Sequence, residues 1–426
     1  MWSILGAYLL LPDKTGVDLP VFPPMDKVTI SNVSAFLVCR FILGKRIPLL
    51  PNLGLGKILL VLYIGSPFIT TFLNPEPIIV GSRFLQGMEY YDSLSAIIRQ
   101  SLFILPFLLG FAFIRNAKTH EELLWLLAYA GLYYSIPMLF EVRFSPQLHT
   151  WVYGFFPHDF VQQKRAGGFR PVVFIGHGLL VAFFAMSSLV AVTTLRKLRN
   201  TIMGYSAGAI ALYLGVVLIL CKSYASLIYA ILLVSLTQLA TPKKQVQVAR
   251  VLVLLVIFYP MLRAADLFPV DAIISIATEF SEKRAESLQF RLDNEDLLLV
   301  KVREKPIFGW GTWGRNRAYD KRTGKDLSVT DGRWIIVMGV YGWVGFFVEF
   351  GILALPVFRS AKVIRYVKDR RERIVFAAIN LLLAISIFDL LPNASVSPWT
   401  WLLAGALLGR VEKIKADFKI INTKIL

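Results

Sequence analysis

The sequence predicts an all-α polytopic membrane protein, and three observations predict it. The chain of 426 residues is 56% hydrophobic and only 17% charged, with a mean hydropathy of +0.61; a soluble domain of this size does not need that composition. Several apolar runs approach the ~20 residues that cross ~30 Å of hydrocarbon. Basic residues gather in alternate loops, as they do when cytoplasmic loops are enriched in Lys and Arg. That last pattern also accounts for the net charge of +18, which in a soluble protein would point to nucleic acid. No nucleic-acid partner is expected here.

About twelve apolar segments can be counted, near 2–12, 28–44, 57–73, 97–114, 121–140, 171–195, 202–220, 224–240, 249–263, 334–357, 374–391 and 395–409. The first ends at Pro12 and spans only ~17 Å as a helix, so it is a partial or tilted span. Pro20, Pro23 and Pro24 then make a stiff linker. With the amino terminus inside, the cytoplasmic connections are 45–57, 115–120, 196–201, 241–248, 358–373 and 410–426, and every one is basic. Both termini then lie in the cytoplasm, and two long loops, 141–170 and 264–333, lie outside. The chain is one membrane domain, 1–426, with these loops as external caps and no internal repeat. Cys39 and Cys221 sit in or beside apolar segments and imply no disulfide, and four histidines with two cysteines make no zinc site.

The loop 264–333 is the longest departure from apolar character. Within it, 281–304 has helical periodicity through Leu288, Leu292, Leu299 and Val302, with Ser281 as N-cap and Pro306 closing the helix. Arg284 and Arg291 stand two turns apart on the face of Leu288 and Glu295. Two in-line guanidinium groups suit a diphosphate; the other reading is a solvated face whose arginines pair with Glu282, Glu286 or Glu295. The turn Pro306-Ile-Phe-Gly-Trp-Gly-Thr-Trp-Gly-Arg follows. Its glycines permit an anion-binding nest of backbone amides, and Trp310 and Trp313 either stack on sugars or sit at the membrane interface. In the other loop, Arg170 stands at the mouth of a span and His177 lies about two turns further in, where a histidine is costly unless it has a role or a packed partner. Lys222 and Asp389 fall near span ends, where interfacial positions explain them.

At these residues the chain resembles the O-antigen ligase and polymerase superfamily of membrane glycosyltransferases. The features that carry the resemblance are Arg170-Pro…His177-Gly opening a span, the helix bearing Arg284 and Arg291 followed by Glu304-Lys-Pro-Ile-Phe-Gly-Trp-Gly, and Asp331-Gly-Arg-Trp leading into a glycine-spaced span. They cover roughly 165–350. The resemblance implies a GT-C-like fold in the bacterial inner membrane, a lipid-linked oligosaccharide on undecaprenyl diphosphate as donor, and a metal-independent transfer without cofactor. It implies catalytic roles for Arg170, Arg284, Arg291 and Asp331, and substrate contacts from His177, Trp310, Trp313 and Arg315. Membrane lipid, a flippase and a chain-length regulator are the implied partners. Ligases of the family usually carry a histidine where this chain has Asp331, which favours a polymerase of exopolysaccharide, capsule or O-antigen repeat units. A ligase acting on lipid A core or protein is the alternative. A polysaccharide transporter or flippase is the third reading, against which stands the concentration of polar residues in one loop rather than at mid-span.

Overall fold

Each apolar segment of the sequence becomes a helix. The computed structural model describes residues 1–18, 23–50, 54–165 and 167–425, the side chains of 280, 284 and 419–425 excepted. The helices are α1 (Trp2–Leu10), α2 (Lys27–Leu37), α3 (Leu55–Phe72), α4 (Tyr90–Phe103), α5 (Leu105–Phe113), α6 (Ala117–Phe144), α7 (Leu148–Tyr153) and α8 (Gly178–Lys197). They continue as α9 (Ala207–Leu220), α10 (Tyr224–Leu239), α11 (Pro242–Ala264), α12 (Val270–Phe280), α13 (Glu282–Glu304), α14 (Arg333–Val363), α15 (Arg370–Phe388) and α16 (Pro398–Ile425). Strand is confined, among the described residues, to short two-stranded hairpins in the connections. The protein is thus all-α and membrane-embedded.

Among the described residues, six helical segments are long and apolar enough to cross a membrane: Leu55–Phe72, Tyr90–Phe113, Ala117–Phe144, Gly178–Lys197, Pro242–Ala264 and Arg333–Tyr366. Helices α9 and α10 are apolar but shorter, and α1 has nine residues, about 14 Å at 1.5 Å per residue. Outward-facing Phe68, Leu212, Ile228, Ile231 and Leu239 are largely exposed, which suits a lipid surround and not water. Inside, α15 is buried on every side from Ile374 to Ile387 and packs between α11, α16, α6 and α8.

The helices start where local chemistry can satisfy their first amides. Asn116 accepts from Thr119 N–H at 2.8 Å before α6, and Asp369 from Glu372 N–H at 2.7 Å before α15. The basic connections meet at one end of the bundle. There Arg371 pairs with Glu121 at 2.6 Å and reaches Asn200, Arg410 pairs with Glu372, and Arg359 with Glu412 at 2.6 Å. Lys197 donates to Thr237 O at 2.7 Å. Four of the six connections grouped by charge, 115–120, 196–201, 358–373 and 410–426, are thus joined by contacts at one end of the fold.

Helix α14 is broken within. Gly342 has φ 66° and ψ −165°, a conformation essentially reserved for glycine. In a straight helix Arg333 and Glu349 would stand ~24 Å apart. Across the break they form a two-pronged ion pair, with Nε–Oε1 and Nη2–Oε2 both 2.7 Å.

Candidate functional site

The site begins where α11 ends. Arg263 is buried there, with Nε 3.2 Å from Glu295 Oε2, Nη2 2.8 Å from Asp296 Oδ1, and Nη2 donating to Leu292 O at 3.0 Å. The Tyr259 hydroxyl donates to Glu295 Oε2 at 2.6 Å, and its ring stacks edge-on against Trp334. These contacts hold α13 across the ends of α11 and α14, with Leu292, Leu298, Leu299 and Val302 buried beneath it. Burial pushes the Glu295 carboxyl above the usual carboxylate range, against the pull of Tyr259 and Arg263. The predicted helical face is the observed one: Leu288, Arg291 and Glu295 line one cavity. The side chain of Arg284, expected beside them, lies outside the described residues.

That cavity, about 230 Å³, is closed opposite α13 by Asp331, Ile335, Phe388, Leu391 and Pro392. Arg291 Nε lies 3.7 Å from Asp331 Oδ2, with 40% and 43% of the two side chains exposed. Water reaches both, so the pair contributes little to stability and both groups remain available to a ligand. Asp331 is nonetheless well placed. Asn294 Oδ1 accepts from Val329 N–H at 2.8 Å, and Arg333 N–H donates to Leu390 O and Asn393 O at 2.9 and 3.0 Å. Between them Gly332 passes so close to the α15–α16 connection that a Cβ would stand 2.3 Å from Leu391 O. That approach explains the glycine after Asp331.

Beside the cavity, Asp389 ends α15 and its backbone O accepts from Asn393 N–H at 3.1 Å; Tyr229 lies within the fields of both Asp389 and Arg291. Sequence reasoning gave Asp389 an interfacial position only. The turn Leu390-Leu-Pro-Asn behind it was the available signal.

Arg170 and His177 form a second group. The chain from 170 to 177 is not helical, and His177 is the N-cap of α8, where its Nδ1 accepts from Leu179 N–H at 3.0 Å, rather than a residue within the span. Its ring meets His158 at 4.5 Å. Burial, then His158 and Arg170, push the imidazole down to about 4. Arg170 is buried, donating through Nη2 to Lys222 O at 3.1 Å. No carboxylate pairs with it among the described residues; burial and then Arg165 hold its guanidinium below the usual range. Glu141 and Lys27, neither singled out in the sequence, fix this segment. Glu141 Oε2 accepts from Val172 and Val173 N–H, both at 2.7 Å, and Lys27 pairs with Asp13 at 3.0 Å while donating to Ile175 O at 2.9 Å. The two groups connect through α10, which starts just after Lys222 and carries Tyr229, and through Tyr8, which lies within the fields of both Asp13 and Asp389.

The Gly/Trp turn does other work. Trp310 N–H donates to Gly339 O at 2.9 Å and Gly311 N–H to Val340 O at 3.0 Å. In return Trp343 and Val344 donate to Pro306 O and Ile307 O at 2.8 and 3.2 Å. The turn replaces the hydrogen bonds that α14 loses at its break, so the amides of Trp310 and Gly311 are occupied and no anion nest forms from them. Trp310 lies under Lys301 and Lys305, 3.6 and 4.6 Å from its ring centre. Arg315 is 2% exposed, and donates to Trp310 O, Gln86 O and Glu76 O at 3.2, 2.8 and 2.9 Å. Its donors are spent on backbone, away from the cavity. Trp313 is 69% exposed, its indole N–H held by Asp92 Oδ1 at 2.8 Å. The structure thus brings Arg291 and Asp331 together, sets Arg170 and His177 in a neighbouring group, and places Trp310, Trp313 and Arg315 elsewhere.

No protein-family model and no curated protein matches the chain.

Proposed function

We propose that the protein is a polymerase-type glycosyltransferase that joins lipid-linked oligosaccharide repeat units on a polyprenyl diphosphate carrier. The observation that supports this reading best is the Arg291–Asp331 pair, water-accessible and loosely spaced at 3.7 Å on the wall of a cavity. A diphosphate entering the cavity takes Arg291 from Asp331 at little cost, since an exposed pair is worth ~0–1 kcal/mol. Arg291, with Arg284 and Arg170, binds the leaving diphosphate. Asp331 accepts the proton of an acceptor sugar hydroxyl. The hydroxyl oxygen then bonds to the donor's anomeric carbon as the bond from that carbon to the diphosphate oxygen breaks, and its electrons leave with the polyprenyl diphosphate. In this reading the helices form a twelve-span, GT-C-like bundle in a bacterial inner membrane with the cavity on the outer side, and the transfer uses no metal.

The test is transfer by the purified protein in vesicles with a lipid-linked repeat unit. Arg291→Ala and Asp331→Asn should each lower the rate by roughly 10²–10³, the usual cost of removing one group that stabilises developing charge. Unchanged rates in both would overturn the assignment. Transfer only when a different acceptor is supplied would replace polymerase by ligase.

A further inference from the structure

A second cavity, about 650 Å³, lies where α3 ends and α4 begins, and the site described above makes no use of it. Its volume falls within the ~300–1,000 Å³ of small-molecule sites. The chain makes it by doubling back. Gly87 passes so close to Pro75 that a Cβ would stand 1.9 Å from the Pro75 carbonyl oxygen, and Met88 N–H donates to Asn74 O at 2.9 Å. That closure brings Phe72 of α3 and Tyr90 and Tyr91 of α4 to one cavity, with all three rings exposed. Among the described residues, Glu89 is the one charged side chain of the lining.

Two contacts bring the Gly/Trp turn to this cavity. Met88, in its wall, stands so close to Gly311 that a Cβ there would be 1.9 Å from the Met88 sulfur. Asp92, the residue after Tyr91, accepts the Trp313 indole N–H at 2.8 Å. Helix α3 is fastened to the same turn, since Thr70 Oγ1 donates to Phe308 O at 2.8 Å and Asn74 Nδ2 to Gly309 O at 3.0 Å. Trp313 is therefore an exposed indole held in a fixed orientation beside an aromatic cavity. Its backbone has φ 60°, where a bulky residue is strained and glycine is at ease. Strain kept under a ring that faces solvent is strain that packing does not require, and it points to function. An interfacial anchor would need neither the strain nor the hydrogen bond.

The lining selects the class of ligand. Aromatic rings present electron-rich faces, which attract the slightly positive C–H face of a sugar ring. Glu89 is an exposed carboxylate that takes Gln86 Nε2 at 2.9 Å and has acceptor capacity beyond that bond; sugar hydroxyls are suitable donors. Thr71 also lines the cavity, and its buried hydroxyl has no partner among the described residues, an unfilled hydrogen bond that a ligand hydroxyl can take. No basic side chain lines the cavity among the described residues, so a phosphate or an acidic sugar finds no counter-charge there. A single ammonium head would leave most of the volume empty. We propose that the cavity is a subsite for neutral sugar residues of an oligosaccharide, stacked on Tyr90, Tyr91 and Trp313 and hydrogen-bonded by Glu89. The site itself rests on these residues. That its oligosaccharide is the repeat unit of a growing chain rests on the polymerase reading.

The experiment is saturation-transfer NMR on the full-length protein in phosphatidylcholine nanodiscs. The probe is the oligosaccharide released by mild acid from the lipid-linked pool of the source cells, free of lipid and diphosphate. Wild type should pass saturation to the C–H protons of the sugar. The double variant Tyr90→Ala, Tyr91→Ala and the single variant Trp313→Gly should each bind about tenfold more weakly. Trp313→Gly also relieves the backbone, so it should unfold no earlier than wild type, and its loss of binding is then not a loss of fold. Binding that weakens in these variants, in a protein that fails the transfer assay, would support the sugar site and overturn the polymerase reading alone. Transfer activity with no binding of the probe, or with equal binding by wild type and both variants, would overturn the sugar site alone.

Discussion

Gly342→Ala tests whether the interlock of α14 with the Gly/Trp turn holds this end of the protein together. At φ 66°, ψ −165° alanine is strained by about 1–3 kcal/mol. The new Cβ would also stand 2.2 Å from Ile307 O, 2.3 Å from Ile307 C and 2.6 Å from Phe308 N. These are backbone atoms, so the turn itself must move. Moving it breaks the bonds from Trp343 to Pro306 O and from Val344 to Ile307 O, each worth about 1 kcal/mol net. The expected loss is therefore about 3–5 kcal/mol, read by reversible unfolding in mixed micelles of rising SDS fraction. Gly215→Ala in α9, where nothing lies within 4 Å of a new Cβ, is the control and should gain about 0.5–1 kcal/mol. A Gly342→Ala protein within about 1 kcal/mol of wild type would refute the interlock.

Three further outcomes are expected. Arg315→Lys replaces a fork that serves three carbonyls with a group that reaches one of them; the same unfolding assay should show a loss of about 2–4 kcal/mol, and a neutral result would mean that the turn is not anchored to 76–86. Glu349→Gln leaves the Arg333 guanidinium without its carboxylate and should cost about 3–5 kcal/mol, whereas the double change Arg333→Met, Glu349→Met should recover much of that loss; equal losses in the single and double variants would count against a buried pair. The cap made by His177 requires the neutral ring. Because burial, then His158 and Arg170, lower its folded-state pKa to about 4 from 6.5, the unfolded chain binds the proton first: the stability that goes with the neutral ring is present above pH 6.5 and is lost as the pH falls towards 4. His177→Asn, which caps without titrating, should lose less stability than wild type between pH 7 and pH 5, and parallel losses would refute the assignment.

Much of the framework was legible from one residue to the next. Helix α13 was expected over 281–304 and runs Glu282–Glu304, because its apolar spacing, Ser281 and Pro306 are local signals. Of the basic connections grouped by charge, those at 115–120, 358–373 and 410–426 meet through Arg371, Glu121, Arg410 and Glu372. Arg291 and Glu295 were read onto one face and line one cavity. The roles of isolated polar residues were not legible. Arg315 in a glycine-rich turn reads as a ligand group until the carbonyls of Glu76 and Gln86 are seen to surround it. Lys27, Glu141 and Glu349 give no sign in sequence of the distant backbone or side chain they hold.

By itself, then, the sequence located the apolar stretches around which most of the helices form and the face of α13 that looks inward, since periodicity and hydropathy are sums over neighbouring residues. Only the tertiary structure decided that α14 breaks at Gly342, that the turn at 306–311 fills the break, and that Arg291 meets Asp331. Each of those depends on a directional contact between atoms far apart in the chain, and a hydrogen bond or ion pair carries no imprint on its own residue of the partner that will satisfy it.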